Sequence, residues 1–183
     1  STKELLGAVE KAASDNVIIL PNNKNIIATA NQVQSLTDKK VEVIPSATIP
    51  QGVAALLAFD YEANMESNIQ IMTKAISAVK TIEICRAVRS AKLGDLKIKK
   101  KQPIGFLDGE LVAVGESGLD VLKKTLSKLD LAKVEVITIY YGADTKPAEA
   151  ERVASDIRNH YPQLQIEVVR GGQPHYNYII SVE

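Results

Sequence analysis

Apolar residues recur at helical spacing at the start of the chain, at Leu5, Leu6, Val9, Ala12 and Ala13. Asn16 then breaks the run before a continuous apolar segment, Val17 to Leu20. Pro21 ends that strand, and the turn PNNKN opens a helix expected from Asn23 to Leu36, with Asn22 as its cap and Ile26, Ile27, Ala30 and Val33 on the buried face. The same arrangement follows once more. Lys39 and Lys40 lead into the strand Val41 to Ile44, the turn SATIPQG follows, and a short apolar helix is expected over Val53 to Phe59, with another over Met65 to Val79. Short apolar strands separated by helices are the pattern of a parallel sheet covered on both faces. Residues 1–80 therefore read as an α/β subdomain.

From Thr81 the texture changes to extended runs. TIEICRAVRS is followed by LKIKKKQPIGFLDGELVAVGE, where Asp108-Gly109 between apolar segments is a strong hairpin signal. Leu119, Leu122, Leu126 and Leu129 mark a helix, and VEVITIYYG marks a buried strand. A further helix runs from Pro147 to about His160, with proline in its first turn. The last stretch gives two extended runs around Gly171-Gly172. Residues 81–183 thus read as a mixed or antiparallel sheet with two helices, an α+β subdomain. The fold class is α/β in two subdomains, a small α/β/α layered parallel sheet followed by a two-layer mixed sheet.

Composition narrows the options. With 183 residues and 45% apolar content the chain can bury a proper core. No apolar run approaches the ~20 residues needed to span a bilayer, so a cytoplasmic protein is expected. One cysteine, Cys85, and two histidines, His160 and His175, argue against a disulfide and against a thiolate zinc site. Cys85, between Ile84 and Arg86 in an apolar strand, is expected to point inward. The formal charge is zero, yet residues 1–80 hold seven basic against eight acidic residues, 81–133 eleven against seven, and 134–183 four against seven. A basic middle lies between acidic flanks. The start at Ser1, on a helix that begins at once, reads as a domain excised from something longer.

Both turns of the first subdomain follow a strand and open a helix, the usual ligand position in open α/β sheets. Lys24 in the first could face an anion, although Asn22 and Asn23 are ordinary turn and cap residues. Ser46 and Thr48 in the second could hold a carboxylate, and His175 could orient an acid, so the three are candidates for a ligand site. Each also has a plain structural reading as a capped turn or a lone histidine. Lys97, Lys99, Lys100 and Lys101 form a basic run that resembles edge protection of a sheet, and no aromatic residue beside them suits nucleic-acid stacking. Asp60, Glu62 and Glu66 follow the second turn helix, and Asp108, Glu110, Glu116 and Asp120 gather around the hairpin. If the two groups met, they would make a focused negative groove.

The segments DNVIILPNNKNIIATANQV and KKVEVIPSATIPQGVAALLAFD, with the closing GGQPHYNYIISVE, closely resemble the carboxyl-terminal domain of the kinase subunit of bacterial two-component fatty acid kinases, which are dihydroxyacetone-kinase-like proteins. The resemblance covers essentially the whole chain. It implies a parent with an amino-terminal kinase domain that binds ATP and magnesium, a central dimerising domain with catalytic Cys and His residues, and this domain, which carries no catalytic residue, metal or cofactor. The segment LKIKKKQPIGFLDGELVAVGES and the helix after it also resemble the second domain of DegV-type fatty-acid-binding proteins. That family's serine-rich carboxylate loop is reduced here to SATIPQG, and its closing histidine-glycine-proline-glycine motif is absent. The resemblance implies a carrier-like fold kept for docking. Its expected partners are the DegV-type carrier and the kinase and dimerisation domains of its own parent chain, with no nucleic acid and no membrane span. Asp60, Glu62, Glu66, Asp108, Glu110 and Glu116 are the expected partner-binding residues.

Overall fold

The computed structural model describes residues 1–183, which divide into two compact units, Ser1–Val79 and Lys80–Glu183. In the first, α1 (Thr2–Lys11) starts from a capping box in which Ser1 Oγ accepts the Glu4 N–H and the Glu4 carboxylate reaches back. Two parallel strands follow, β1 (Asn16–Ile19) and β2 (Lys40–Val43), in register at Val17 and Val41. Alternation of side chains divides their burial. Val17 and Ile19 join Val41, Val9 and Val33 against α1 and α2 (Ile27–Val33), whereas Ile18 and Leu20 join Ile44, Ala55, Met72 and Ile76 against α3 (Ile49–Ala58) and α4 (Met65–Ser77). The result is a three-layer α/β/α unit.

Two helix starts differ from the sequence reading. Asn22 is not a cap: it lies in the left-handed region at φ 53°, and Asn23 Oδ1 accepts the Asn25 N–H, so a turn occupies residues 22–26 before α2 begins. The following helix starts earlier than Val53, because Thr48 caps it by accepting the Gln51 N–H and Pro50 pre-sets its first turn.

The second unit is a six-stranded sheet in the order β7-β6-β3-β10-β8-β9. Its strands are β3 (Lys80–Arg86), β6 (Pro103–Leu107), β7 (Glu110–Val114), β8 (Val136–Tyr141), β9 (Gln165–Arg170) and β10 (Tyr176–Val182). Only β8 and β9 pair in parallel, and α6 (Pro147–His160) connects them as the crossover helix. With α5 (Gly118–Leu126), this helix covers one face, burying Leu122, Leu126 and Ile157 against Ile82, Ile84, Ile137, Ile139 and Ile180. Each such side chain stabilises the fold by about 1.5–3 kcal/mol on burial. Asp108 and Gly109, at φ 48° and 85°, form the tight turn between β6 and β7 that the sequence signals. A separate two-stranded hairpin, β4 (Ala91–Leu93) with β5 (Leu96–Ile98), extends between β3 and β6. Cys85 is half-buried on the β3 face opposite Ile82 and Ile84, packed against Ala87, Ile98 and Ile104, and burial pushes its thiol pKa up.

Candidate functional site

The end of β2 delivers Ser46 into the interior of the first unit, where it is completely buried. Its hydroxyl donates to Asn22 Oδ1 at 2.8 Å and accepts the Asn22 N–H at 3.0 Å, so both polar functions of the Asn22 turn close on this one serine. The Asn22 amide lies directly over Gly52 in the first turn of α3, where any side chain on Gly52 would collide with it. A helix amino terminus is where a carboxylate would be expected to sit. Here the Asn22 amide packs against the first turn of α3, and the Gln51 and Gly52 N–H groups are taken by Thr48. Thr48 is equally committed, since its hydroxyl caps α3. His175 belongs to the second unit, is exposed, and precedes β10 in a left-handed conformation at φ 69° instead of lying within the strand.

The acidic residues fall into two classes. Asp60, Glu62 and Glu66 are exposed in the first unit, on the turn between α3 and α4 and at the start of α4, and none takes part in an ion pair. Asn68, buried on α4, fixes that turn by accepting the Asp60 N–H at 2.8 Å and donating to the Asp60 carbonyl at 2.7 Å. In the second unit Asp108 is engaged, pairing with Lys80 at 3.4 Å and accepting the Thr81 N–H at 2.9 Å. Glu110 stands beside it at the start of the five-residue strand β7, while Glu116 lies past that strand's far end. Asp120 accepts from Lys124 and from the Glu116 N–H, both at 3.0 Å, and these bonds hold its carboxyl below the usual range.

One feature escaped the sequence reading. Ile49, Leu56, Leu57 and, on the following turn, Phe59 and Tyr61 are exposed, Leu57 at 83% and Tyr61 at 85%. The signal was available: α3 is apolar on every side, but only Pro50, Gly52 and Ala55 of it are buried. A helix of that kind has an apolar face left over. From Val41 to Thr73 the chain has no Lys or Arg, so the only formal charges in this stretch are the acids Glu42, Asp60, Glu62 and Glu66. No group of three or more His, Cys, Asp or Glu side chains is arranged to hold a metal ion, and no helix is long and apolar enough to cross a membrane.

This architecture is DegV-like. The chain superposes over its full length on the Streptococcus pneumoniae fatty acid kinase (Fak) B3 protein loaded with linoleic acid, with a TM-score of 0.69, 15% identity and 76% of that chain covered. It also superposes on 41% of the dihydroxyacetone kinase from C. freundii, with a TM-score of 0.65 and 11% identity. Those likenesses define a fold. The sequence goes further: all of residues 1–183 match the FakA-like C-terminal family of fatty acid kinases, and the chain belongs to that family. It is 39% identical over its whole length to protein YloV of Bacillus subtilis and 33% identical to an uncharacterized protein of Staphylococcus aureus strain USA300. The chain spans 33% of the length of each of these relatives.

Proposed function

We propose that this chain is a non-catalytic docking domain within the kinase component of a fatty acid kinase. It binds the acyl-carrying DegV-type protein so that a kinase domain elsewhere in the parent, with its ATP and magnesium, phosphorylates the fatty acid to acyl-phosphate for phospholipid synthesis. Family membership supplies the setting, and the observation that carries the reading is the exposed apolar surface of α3 and its turn, bordered by the unpaired acids Asp60, Glu62 and Glu66. An apolar centre with a charged rim is the anatomy of a protein interface. Tyr61 and Phe59 would be its aromatic anchors, and the acids would steer a basic face of the carrier. Tethering then raises the carrier's effective concentration at the kinase domain to the order of millimolar.

The competing reading, a lipid- or anion-binding module using Ser46, Thr48 and His175, draws on the DegV-like fold. It is weakened by the engagement of Ser46 and Thr48 within the unit. Titration calorimetry of the purified chain against an acyl-loaded DegV-type carrier tests the docking reading. Saturable binding that weakens with added salt is expected. Absence of binding, together with fatty acid that co-purifies with the chain, would replace docking by the lipid-binding reading.

A further inference from the structure

The basic run noted in the sequence becomes a defined object in the structure. Between β3 and β6 the chain leaves the sheet as a small arm, residues 86–101, that carries Arg86, Arg89, Lys92, Lys97, Lys99, Lys100 and Lys101 against a single acid, Asp95. All seven cations are exposed, and none forms an ion pair. The arm is anchored, not loose. Ile98 is buried with Ala87 and Ile104, the Ala87 N–H donates to the Gln102 carbonyl, the Lys101 N–H donates to the Ala87 carbonyl, and the Lys100 N–H donates to Ser90 Oγ. Because Ile98 faces the sheet, alternation turns Lys97 outward, and Lys97 stands directly opposite Lys92 in the β4–β5 register. Two like charges in a cross-strand pair are destabilising on their own. The arrangement holds charge ready for something negative.

Apolar side chains share the same arm. Val88 is 85% exposed and Leu93, at the hairpin tip before Gly94, is 56% exposed. Beside the arm an open groove with an apolar floor of Leu96, Val112 and Val114 carries Lys124 and Lys128 on its wall. In the β4–β5 register Leu93 stands opposite Leu96 on the Ile98 face, and the Lys92–Lys97 pair lies on the other. Only the tip of the arm, approached end-on, therefore offers both cations and an exposed aliphatic side chain to a surface that is anionic outside and apolar beneath. Nucleic acid is disfavoured, because residues 86–101 contain no aromatic side chain to stack on a base. We propose that this arm is a peripheral membrane-binding element, which seats the domain on an anionic lipid surface with the lysines at the headgroups and Val88 and Leu93 in the interface. The inference is independent of the docking reading.

The test is co-sedimentation of the chain with vesicles of phosphatidylcholine alone and of phosphatidylcholine with phosphatidylglycerol in equal parts. Binding is expected only to the mixed vesicles and should fall steeply with salt. The triple variant Lys97→Glu, Lys99→Glu, Lys100→Glu should weaken it roughly 100-fold or more, since each juxtamembrane cation contributes to surface attraction. Leu93→Asp should weaken it several-fold at unchanged charge on the lysines. A parallel triple change to Gln, with thermal unfolding recorded for every variant, separates loss of charge from loss of fold. Equal binding to both vesicle types, no binding to either, or no effect of the triple reversal would each overturn the proposal. So would tighter binding to a duplex DNA or to polyglutamate than to the mixed vesicles, which would make the arm a reader of nucleic acid or of an acidic protein.

Discussion

The two units use charge in opposite ways. In the second, four carboxylates form ion pairs: Asp108 is held by Lys80 and the Thr81 N–H, Asp120 by Lys124 and the Glu116 N–H, Asp156 by Lys123 at 2.6 Å and Glu151 by Arg158 at 3.8 Å. The seven cations of the arm have no such partner. In the first unit no Asp or Glu pairs with a Lys or Arg, and the acids beyond α3 have no cation within the stretch that carries them. One unit displays negative charge around an apolar helix, and the other displays positive charge around two aliphatic side chains. A formal charge of zero over the whole chain conceals both. Net charge is therefore a poor guide to partners when unpaired charge is segregated.

The sharpest way to break this comparison is a reciprocal exchange. Reversing Lys97, Lys99 and Lys100 should cost roughly two decades of vesicle affinity and leave carrier binding unchanged. Leu57→Asp combined with Tyr61→Asp should remove carrier binding by at least about 30-fold, as expected for a buried aromatic anchor, and leave vesicle binding alone. Parallel calorimetry and sedimentation would decide. If either variant impairs both activities while its thermal midpoint is retained, the two surfaces serve one partner and their separation fails.

Next in size come the residues that lock the first unit. Ser46→Ala removes the hydroxyl that satisfies both the backbone and the side chain of Asn22, so a loss of about 1–3 kcal/mol is expected in urea unfolding. Gly52→Ala should cost a similar amount, about 1–3 kcal/mol, by driving the Asn22 amide from its place. Were Ser46 a ligand group instead, the alanine variant would keep its stability and lose an occupant. Unchanged urea midpoints in both variants would restore the ligand-site reading.

A smaller effect is expected from Glu62→Lys, which should weaken carrier binding several-fold and flatten its salt dependence. The thermal midpoint should hardly move, because exposed substitutions usually fall within about 0.5 kcal/mol. The same reversal at Glu116, which lies past the far end of β7 from Glu110, serves as the comparison. Equal weakening by both would place Glu116 on the binding surface with Glu62, as the sequence leads one to expect.

Much of the fold was legible because local signals agreed with one another. Strand-turn-helix order, the Asp108-Gly109 hairpin and Pro147 at the start of α6 all depend on neighbours in sequence. The misplaced start of α2 had a different origin. Asn22 looked like a cap, and only a partner 24 residues away, Ser46, makes it the left-handed end of a turn. The site was less legible for the same reason. Acidity can be read from letters, but that Asp108 is already engaged depends on where Lys80, 28 residues earlier, falls in space. The apolar face of α3 was in view as composition. A helix apolar all round is usually buried, so composition alone does not show which of its faces stays exposed.

The smallest expected effect concerns an acid that neither unit displays. Glu83 lies in the middle of β3, half-buried, and burial, reinforced by Asp108, raises its carboxyl pKa. A carboxyl raised on folding opposes stability once it ionises. Below its unfolded pKa both states are protonated and the residue costs nothing; as pH rises from the unfolded toward the folded pKa the cost grows, and above the folded pKa it is constant. Asp120 has the opposite sign, its depressed carboxyl adding stability that is lost as pH falls through its folded pKa. Glu83→Gln should therefore raise the thermal midpoint modestly at neutral pH, and the gain should vanish in acid. Asp120→Asn should lower the midpoint at neutral pH, with its deficit also shrinking in acid. Thermal scans of both variants across the carboxylate range check the pair. A Glu83→Gln gain that persists unchanged in acid would mean that the benefit comes from packing on β3, and the contrast between consumed and displayed acids would lose one of its two signs.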